Sequence, residues 1–220
     1  METTLNRPPS RIAIDFEAAG SRLGRQTTLS IGAVLVPRDR QRSFAEYEAA
    51  GHVFYAELKP ISPSFDIKAM RVGCLHLECL DALRPTDPRY NPEHEAFDPE
   101  LVLKLLDRVG EHPKSAIERF RTWINTATDN NPNIIAITDT VIADGGHLNF
   151  NFGAFSDEPS PFGWSGLDLD STYRGYKQRP DASLKELPVP EPVKKHHAAH
   201  DAAQLANRAN YLLHELMNWE

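Results

Sequence analysis

The chain has 220 residues, which is enough for one domain or at most one and a half. Hydrophobic residues make up 40% of the sequence and charged residues 25%, as in soluble globular proteins. Its 24 Lys and Arg residues against 31 Asp and Glu residues give a formal net charge of −7. Binding of nucleic acid through bulk positive charge is therefore excluded, although a local acidic site that recruits metal ions is not.

The ends of the chain and its cysteines indicate a cellular compartment. Residues 1–10 are polar and contain prolines, and they lack the apolar core of a signal peptide. No stretch approaches the length of a membrane span, so we expect a cytoplasmic protein. Two cysteines, Cys74 and Cys79, are too few for a disulfide scaffold in a chain of this length. Their isolation also argues against a zinc site built on thiolates.

The first part of the chain is rich in strand patterns. Residues 11–17 alternate strictly between apolar and other side chains, which predicts a β-strand. Residues 28–36 and 53–58 are runs of β-forming residues, and residues 20–26 form a predicted turn. Three consecutive strands with short joins predict an antiparallel meander.

The rest of the chain alternates predicted helices with short strands. Asp98 and Pro99 predict the start of one helix, and a capping box of Ser115 with Glu118 predicts the start of the next. Further helices are predicted at residues 66–72, from Asp144 onwards and at residues 198–217, and further strands at residues 133–137 and 167–169. Strands followed by alternating helices and strands predict a single α/β domain with a mixed sheet.

Asp15 and Glu17 are the first candidate site residues. They are separated by one residue of a predicted strand, so both side chains project from the same face. Two neighbouring carboxylates on a rigid strand repel each other unless they share a cation, which favours a metal site. The alternative is that both acids lie on the solvent-facing side of an edge strand.

Asp139 and Asp144 follow the predicted strand at residues 133–137. Asp144 opens a predicted helix, where the helix N-terminus stabilises a carboxylate that can still point towards the first strand. Asp139 lies five residues earlier and competes for the same role. Simple N-capping is the alternative interpretation for either residue.

A third group lies in the segment KKHHAAHDAA, at the start of the predicted terminal helix. Asp201 falls in the first turn of that helix, and His196, His197 and His200 precede it. Histidine, with a pKa near neutral, is the side chain best suited to take a proton from an attacking water. The alternatives are a zinc site formed by the three histidines and a merely solvated helix start. The sequence contains no HExxH motif, which disfavours a zincin.

Together these motifs resemble the DEDDh branch of the DEDD superfamily of 3′-5′ exonucleases, the group of RNase T and the DnaQ-like proofreading enzymes. The segment IAIDFEAAG is similar to the family's D-x-E motif, and ITDTVIADGGHLNFNF is similar to its second motif and selects Asp144 over Asp139. His196 and Asp201 match the third motif, H-x4-D. His197 has the shorter spacing at which the tyrosine branch of the superfamily carries Tyr.

The resemblance implies a fold and an activity. The fold is a single RNase H-like α/β domain, with a mixed five-stranded sheet that begins with three antiparallel strands and is flanked by helices. Residues 1–9 would form an N-terminal tail and residues 10–220 the exonuclease domain. The activity would release nucleoside 5′-monophosphates from the 3′ end of single-stranded nucleic acid, and the pattern around Asp144 favours RNA over DNA. Related enzymes are often dimers, which allows a homodimer.

The implied site combines a metal centre with a general base. Two divalent cations, Mg²⁺ or Mn²⁺, would be bound by Asp15, Glu17, Asp144 and Asp201. His196 would act as the general base. Contacts with the substrate are expected from Phe16, Ala18 and Gly20, whereas Phe162 and Trp164 either stack on a base or anchor their loop to the core. The competing interpretation is a catalytically silent nucleic-acid-binding or scaffold module of the same fold.

Overall fold

A computed structural model describes residues 7–164 and 166–219 of the chain. Five β-strands form one sheet in the order β3-β2-β1-β4-β5. The strands are β1 (Ser10–Ala18), β2 (Thr28–Leu35), β3 (Val53–Glu57), β4 (Ile134–Thr138) and β5 (Gly166–Asp168). The pairs β1–β2 and β2–β3 are antiparallel, whereas β1–β4 and β4–β5 are parallel. The mixed five-stranded sheet predicted from the sequence is therefore confirmed.

Helices cover both faces of this sheet. Those in the described ranges are α1 (Phe44–Ala49), α2 (Ile67–Gly73), α3 (Pro99–Val109), α4 (Pro113–Ala127), α5 (Gly146–Phe155), α6 (Leu169–Lys177) and α7 (Ala198–Asn210). A π-helical turn, Val141–Gly145, precedes α5, and a second one, Tyr211–Leu216, continues α7. Within residues 7–164 and 166–219, no helix is both long enough and apolar enough to cross a lipid bilayer.

The central strand β1 separates two hydrophobic cores. Ile12, Ile14 and Phe16 are buried with residues of α4 and α5, whereas Ala13 is buried with residues of α7. Because strand side chains alternate, Asp15 and Glu17 project from the α7 side. The interpretation of these acids as the exposed side of an edge strand is wrong, since β2 and β4 flank β1 on both sides.

Two local expectations fail. The join between β2 and β3 is not short, because it contains α1, which a capping box of Ser43 and Glu46 begins. The predicted capping box at Ser115 is absent, because α4 already begins at Pro113 and the preceding His112 accepts a hydrogen bond from the N–H of Lys114. Proline at the first helical position suits this earlier start, since its missing N–H would lack a partner there anyway. The sequence patterns also did not reveal α6.

Candidate active site

Carboxylates from three parts of the chain meet beside the carboxyl ends of β1 and β4. Asp15 and Glu17 lie on β1, and Asp144 lies on the π-helical turn that follows β4. Because these two strands are parallel, they end at the same edge of the sheet. The backbone N–H of Phe16 donates a hydrogen bond to Asp144 Oδ1 at 3.3 Å and ties the turn to β1. Asp201 comes from the first turn of α7.

Helix α7 can approach the sheet closely because Gly32 has no side chain. Gly32 pairs with Asp15 in the β1–β2 ladder. A Cβ atom on Gly32 would lie 2.0 Å from the carbonyl carbon of Ala198 and 2.2 Å from the nitrogen of Ala199. The first turn of α7 therefore crosses the sheet next to Asp15, and this crossing brings Asp201 to the acidic residues of β1.

His196 lies just before α7 and is held by Asp201. Its backbone N–H donates to Asp201 Oδ2 at 2.7 Å. Its φ of 66° is in the left-handed region, which residues other than glycine rarely adopt. Potential ligand atoms of Glu17, His196 and Asp201 lie within 4.8 Å of one another. Strained backbone of this kind is concentrated at functional sites, so the conformation agrees with a catalytic position.

Burial and mutual repulsion raise the pKa values of these carboxyl groups. Burial, followed by the charges of Asp201 and Asp144, raises the pKa of Glu17 to about 8. Burial raises the pKa of Asp144 to about 7 and that of Asp201 to about 6, although backbone hydrogen bonds oppose both shifts. Burial and the nearby Asp144 also hold the pKa of Asp15 well above its ordinary value. Carboxylate oxygens crowded in this way fit hard divalent cations, which would remove the repulsion.

Three of the four acidic residues line a cavity of about 390 Å³, and Asp144 is not among its lining residues. Its walls include Asp15 and Glu17 from β1, together with His196 and Asp201. The carboxyl groups of Asp15, Glu17 and Asp201 are therefore accessible from this cavity.

A solved nuclease structure has the same arrangement of strands and helices. No protein-family model matches the chain. The nuclease domain of 3′hExo, a DEDDh family member solved with bound rAMP, matches with a TM-score of 0.66 and 12% sequence identity. The match covers 98% of this chain and 96% of that one. The chain has the fold of the DEDDh exonucleases. The predicted RNase H-like fold and the resemblance to this branch are therefore confirmed.

Other nucleases extend the comparison. The cell-death related nuclease 4 (CRN-4) matches with a TM-score of 0.63 and 13% identity, over 94% of this chain and 64% of that one. Exonuclease I of E. coli, solved with a dT13 oligonucleotide, matches with a TM-score of 0.60 and 14% sequence identity. This match covers 93% of this chain but only 41% of exonuclease I. A curated relative, the 3′-5′ DNA exonuclease Cap18 of Escherichia coli, is 26% identical over 198 residues, covering 87% of this chain and 84% of Cap18.

Two of the three histidines, His197 and His200, are not among the potential metal ligands that come together in the described residues. His197 is buried and its ring stacks on Tyr55, with 4.4 Å between the ring centroids. His200 stacks on Phe44 at 3.7 Å. Among residues 7–164 and 166–219, the potential ligands that come together are Glu17, His196 and Asp201, so a zinc site of three histidines is not formed. Both of these rings instead take part in aromatic packing.

Asp139 lines the same cavity as Asp15 and Asp201. Its backbone oxygen accepts a hydrogen bond from the N–H of Asp170 at 3.3 Å. Burial and then Asp170 raise its pKa. Asp144, by contrast, is bonded directly to β1, which agrees with its selection over Asp139.

The predicted substrate-contacting residues follow Asp15 along β1 and into the next turn. The Phe16 ring is buried and lies 5.7 Å from the ring of His147. Ala18 is half-buried at the end of β1. Gly20 has a φ of 152°, a backbone conformation that favours glycine. Their contacts with substrate stay predictions.

The two aromatic residues of the loop before β5 have different environments. Phe162 is 6% exposed and packs against Phe120 and Phe152 in the core, as the loop-anchoring interpretation requires. Trp164 is fully exposed. Stacking of a base on Trp164 stays a prediction.

Lys185 and Arg208, two basic residues of the cavity, were not identified by the sequence motifs. Both residues line the cavity together with Lys195. The position of Arg208 could have been predicted from the sequence. It lies seven residues after Asp201, and therefore two turns further along the same face of α7. Lys185 lies in a proline-rich segment without regular periodicity, so only the folded chain reveals its position.

Proposed function

We propose that this chain is a metal-dependent 3′-5′ exonuclease that acts on single-stranded nucleic acid. The observation that supports this function best is the meeting of Asp15, Glu17, Asp144 and Asp201 at one edge of the sheet, with His196 bonded to Asp201. These are the residue types and the order of the DEDDh motifs. The sequence relationship to Cap18, which is named a 3′-5′ DNA exonuclease, supports the same reaction.

The four carboxylates fit two Mg²⁺ or Mn²⁺ ions. All four groups offer hard oxygen ligands, and burial raises the pKa values of Glu17, Asp144 and Asp201, so bound cations would stabilise their deprotonated forms. Two bound cations would stabilise negative charge on the attacking and the leaving oxygen of an in-line displacement at phosphorus.

His196 would be the general base. Burial, Lys195 and His76 lower its pKa, so its ring is neutral at neutral pH and can accept a proton. In the proposed reaction the oxygen of water bonds to the phosphorus of the last linkage, and His196 takes the proton of that water. The bond from phosphorus to the 3′ oxygen of the preceding nucleotide breaks, and solvent supplies a proton to that oxygen. The products are a nucleoside 5′-monophosphate and a shortened strand with a 3′-hydroxyl.

Two observations point to different substrates. The sequence pattern around Asp144 favours RNA, whereas the E. coli relative is named a DNA exonuclease. The solved relatives include one with rAMP bound and one with a dT13 oligonucleotide. The preference for RNA therefore stays a prediction, as do the cytoplasmic location, the homodimer and the extent of the exonuclease domain over residues 10–220.

A degradation assay tests the reaction and the substrate together. Single-stranded RNA and DNA oligonucleotides of two, five and twenty nucleotides, labelled at the 5′ end, are incubated with Mg²⁺, with Mn²⁺ or with EDTA. We expect progressive shortening from the 3′ end with either metal and none with EDTA. Intact RNA and intact DNA with both metals would contradict the proposed function.

The same assay separates an enzyme from a silent module of the same fold. Replacement of His196 by Ala should lower the rate about 100-fold or more, because a general base contributes about 10²-fold to 10⁴-fold, while binding of the oligonucleotide is retained. Binding without turnover, unchanged by His196→Ala, would favour the silent nucleic-acid-binding or scaffold module.

A further inference from the structure

One side of the active-site cavity is basic. Lys185, Lys195 and Arg208 line the same cavity of about 390 Å³ as Asp15, Glu17 and Asp201. Within the described residues, no carboxylate lies within 4.0 Å of the ammonium groups of Lys185 and Lys195. The cavity of this overall acidic protein therefore contains three cations that the proposed metal site does not use.

Arg208 is the most enclosed of the three cations. Its side chain is 11% exposed, and its Nε has no hydrogen-bond partner in the described part of the chain. Its ion-pair partner is Glu191, with 3.7 Å between Nη2 and Oε1, beyond hydrogen-bonding distance. A buried guanidinium with unfilled donors is unfavourable unless a ligand completes its hydrogen bonds.

The pairing with Glu191 does not explain why an arginine is buried here. The Glu191 side chain is 62% exposed, and an ion pair that water reaches so freely adds little stability. The chain segment that carries Glu191 is held independently, because Gln204 Nε2 donates a hydrogen bond to the oxygen of Pro190 at 3.1 Å. Glu191 is thus an exposed anion beside a largely buried guanidinium whose Nε lacks a hydrogen-bond partner in the described residues.

We propose that Arg208, assisted by Lys185 and Lys195, binds a phosphate group other than the one that is cleaved, and that Glu191 covers Arg208 until this phosphate displaces it. The inference rests on the proposed function. The cleaved phosphate would meet the four carboxylates through cations, so the three basic side chains of the cavity are not needed to hold that phosphate. The planar fork of a guanidinium binds phosphate oxygens in pairs, which a distant carboxylate does not match.

The phosphate could come from two sources with the same chemistry. It is either an internal phosphodiester of the strand or a terminal 3′-phosphate on the strand. Both groups carry non-bridging oxygens that accept hydrogen bonds from a guanidinium. Oligonucleotides modified at single positions distinguish the two sources.

Steady-state kinetics of Arg208→Gln and Glu191→Gln provide the first test. Because a hydrogen bond to a charged group is lost, Arg208→Gln should raise KM for single-stranded oligonucleotides about tenfold or more and change kcat by less than about twofold. Glu191→Gln should lower KM, and this gain should disappear in the double variant. Arg121→Gln is the matched control, because Arg121 is also mostly buried beside an exposed glutamate, Glu158, at 3.5 Å; its KM should not change.

Charge removal on the substrate provides the second test. Oligonucleotides with one neutral methylphosphonate linkage are compared, position by position, with an unmodified strand and with one that carries a 3′-phosphate. An internal phosphate is identified if one neutral linkage raises the KM of the wild type and has no effect on Arg208→Gln. A terminal phosphate is identified if the 3′-phosphate tightens binding, measured by fluorescence anisotropy in EDTA, only when Arg208 is present.

The outcomes separate this inference from the proposed function. Wild-type protein that binds but does not cleave would contradict the exonuclease function, while loss of that binding in Arg208→Gln would still support the phosphate site. Equal KM, equal binding and the same methylphosphonate profile in wild type and Arg208→Gln would overturn the phosphate site. A gain from Glu191→Gln that persists in the double variant would also overturn it, because the effect would then not act through Arg208. Arg208→Lys, which keeps the charge, should recover part of the affinity if Arg208→Gln folds poorly.

Discussion

At the scale of single residues, Asp144 and Asp139 differ in what holds them. Asp144 accepts a hydrogen bond from the N–H of Phe16, so its position is coupled to β1 and its two acids. Asp139 lies in the same cavity, but the first charged neighbour that affects its pKa is Asp170 rather than Asp15 or Glu17. The two aspartates therefore give a matched pair for testing which one completes the metal site.

Replacement of Asp144 by Ala should lower kcat/KM by more than about 100-fold, because even loss of a residue that only supports a metal ligand costs about 10-fold to 100-fold. Replacement of Asp139 by Ala should lower it less than about tenfold. Both rates are measured on the same 5′-labelled oligonucleotide with Mg²⁺. If only Asp139→Ala lost activity, the assignment of the second motif to Asp144 would be wrong.

At the scale of secondary-structure elements, the site depends on how closely α7 crosses β2. Gly32 lies on β2 opposite Asp15, and a Cβ at this position would overlap the backbone of Ala198 and Ala199. Backbone atoms cannot rotate away as a side chain can, so any residue larger than glycine must push the first turn of α7, with His196 and Asp201, away from the sheet.

We therefore expect Gly32→Ala to destabilise the protein by about 2 kcal/mol or more, as overpacking of a core does, and to lower activity beyond the loss of folded protein. Gly153→Ala is the control, because no atom lies within 4 Å of the added methyl group on α5 and Ala favours a helix over Gly by about 1 kcal/mol. Urea denaturation measures the free energy of unfolding of both variants. A Gly32→Ala protein as stable as wild type would contradict the close crossing.

At the scale of the whole molecule, the charge state of the site links stability to pH and to metal ions. A carboxyl group whose pKa is higher in the folded than in the unfolded protein stabilises the fold while it is protonated, and this contribution disappears as the pH rises through the folded pKa. The pKa values of Asp144 and Glu17 are about 7 and about 8. The metal-free protein should therefore lose stability as the pH rises from the ordinary carboxyl pKa up to these values.

Thermal unfolding tests this linkage. In EDTA, the Tm should fall by about 5 °C between about pH 6.5 and pH 8.5, since about 1 kcal/mol moves the Tm of a protein of this size by about 2–4 °C. Addition of Mg²⁺ or Mn²⁺ should raise the Tm most at the higher pH, where the carboxyl groups that would bind the metal are deprotonated. The series starts near pH 6.5 because burial lowers the pKa of His197 and His200 to about 4, and their protonation destabilises the fold at lower pH.

Glu17→Gln is the matched variant for the thermal series, because it keeps the shape of the side chain and removes one carboxyl group. Its Tm in EDTA should vary less with pH than that of the wild type. A Tm that rises from pH 6.5 to 8.5 in EDTA, or that does not respond to either metal, would contradict the buried acidic centre.

Local patterns were sufficient for most of the strands and for the residues that the motifs contain. Alternation over residues 11–17 predicted a strand with Asp15 and Glu17 on one face, because side-chain direction in a strand depends only on the residue's own position. The same patterns missed α1, a helix of six residues that begins with a capping box. This helix lies in the join between β2 and β3, which was expected to be short. They also placed the start of α4 at Ser115, whereas the helix begins at Pro113. A capping pattern in the sequence does not exclude a helix start at a nearby proline.

The sequence by itself determined that Asp15 and Glu17 share one face of a strand, because side-chain direction along a strand is a local property. Their grouping with Asp144, His196 and Asp201 was predicted from the resemblance to the DEDDh motifs. Only the tertiary structure decided that β1 is the central strand and that burial raises the pKa values of its acids. It also brought Lys185 and Arg208 into the same cavity as Asp15. The bond between Phe16 and Asp144 joins positions 128 residues apart, and a contact of that range arises from the packing of whole elements rather than from any local pattern.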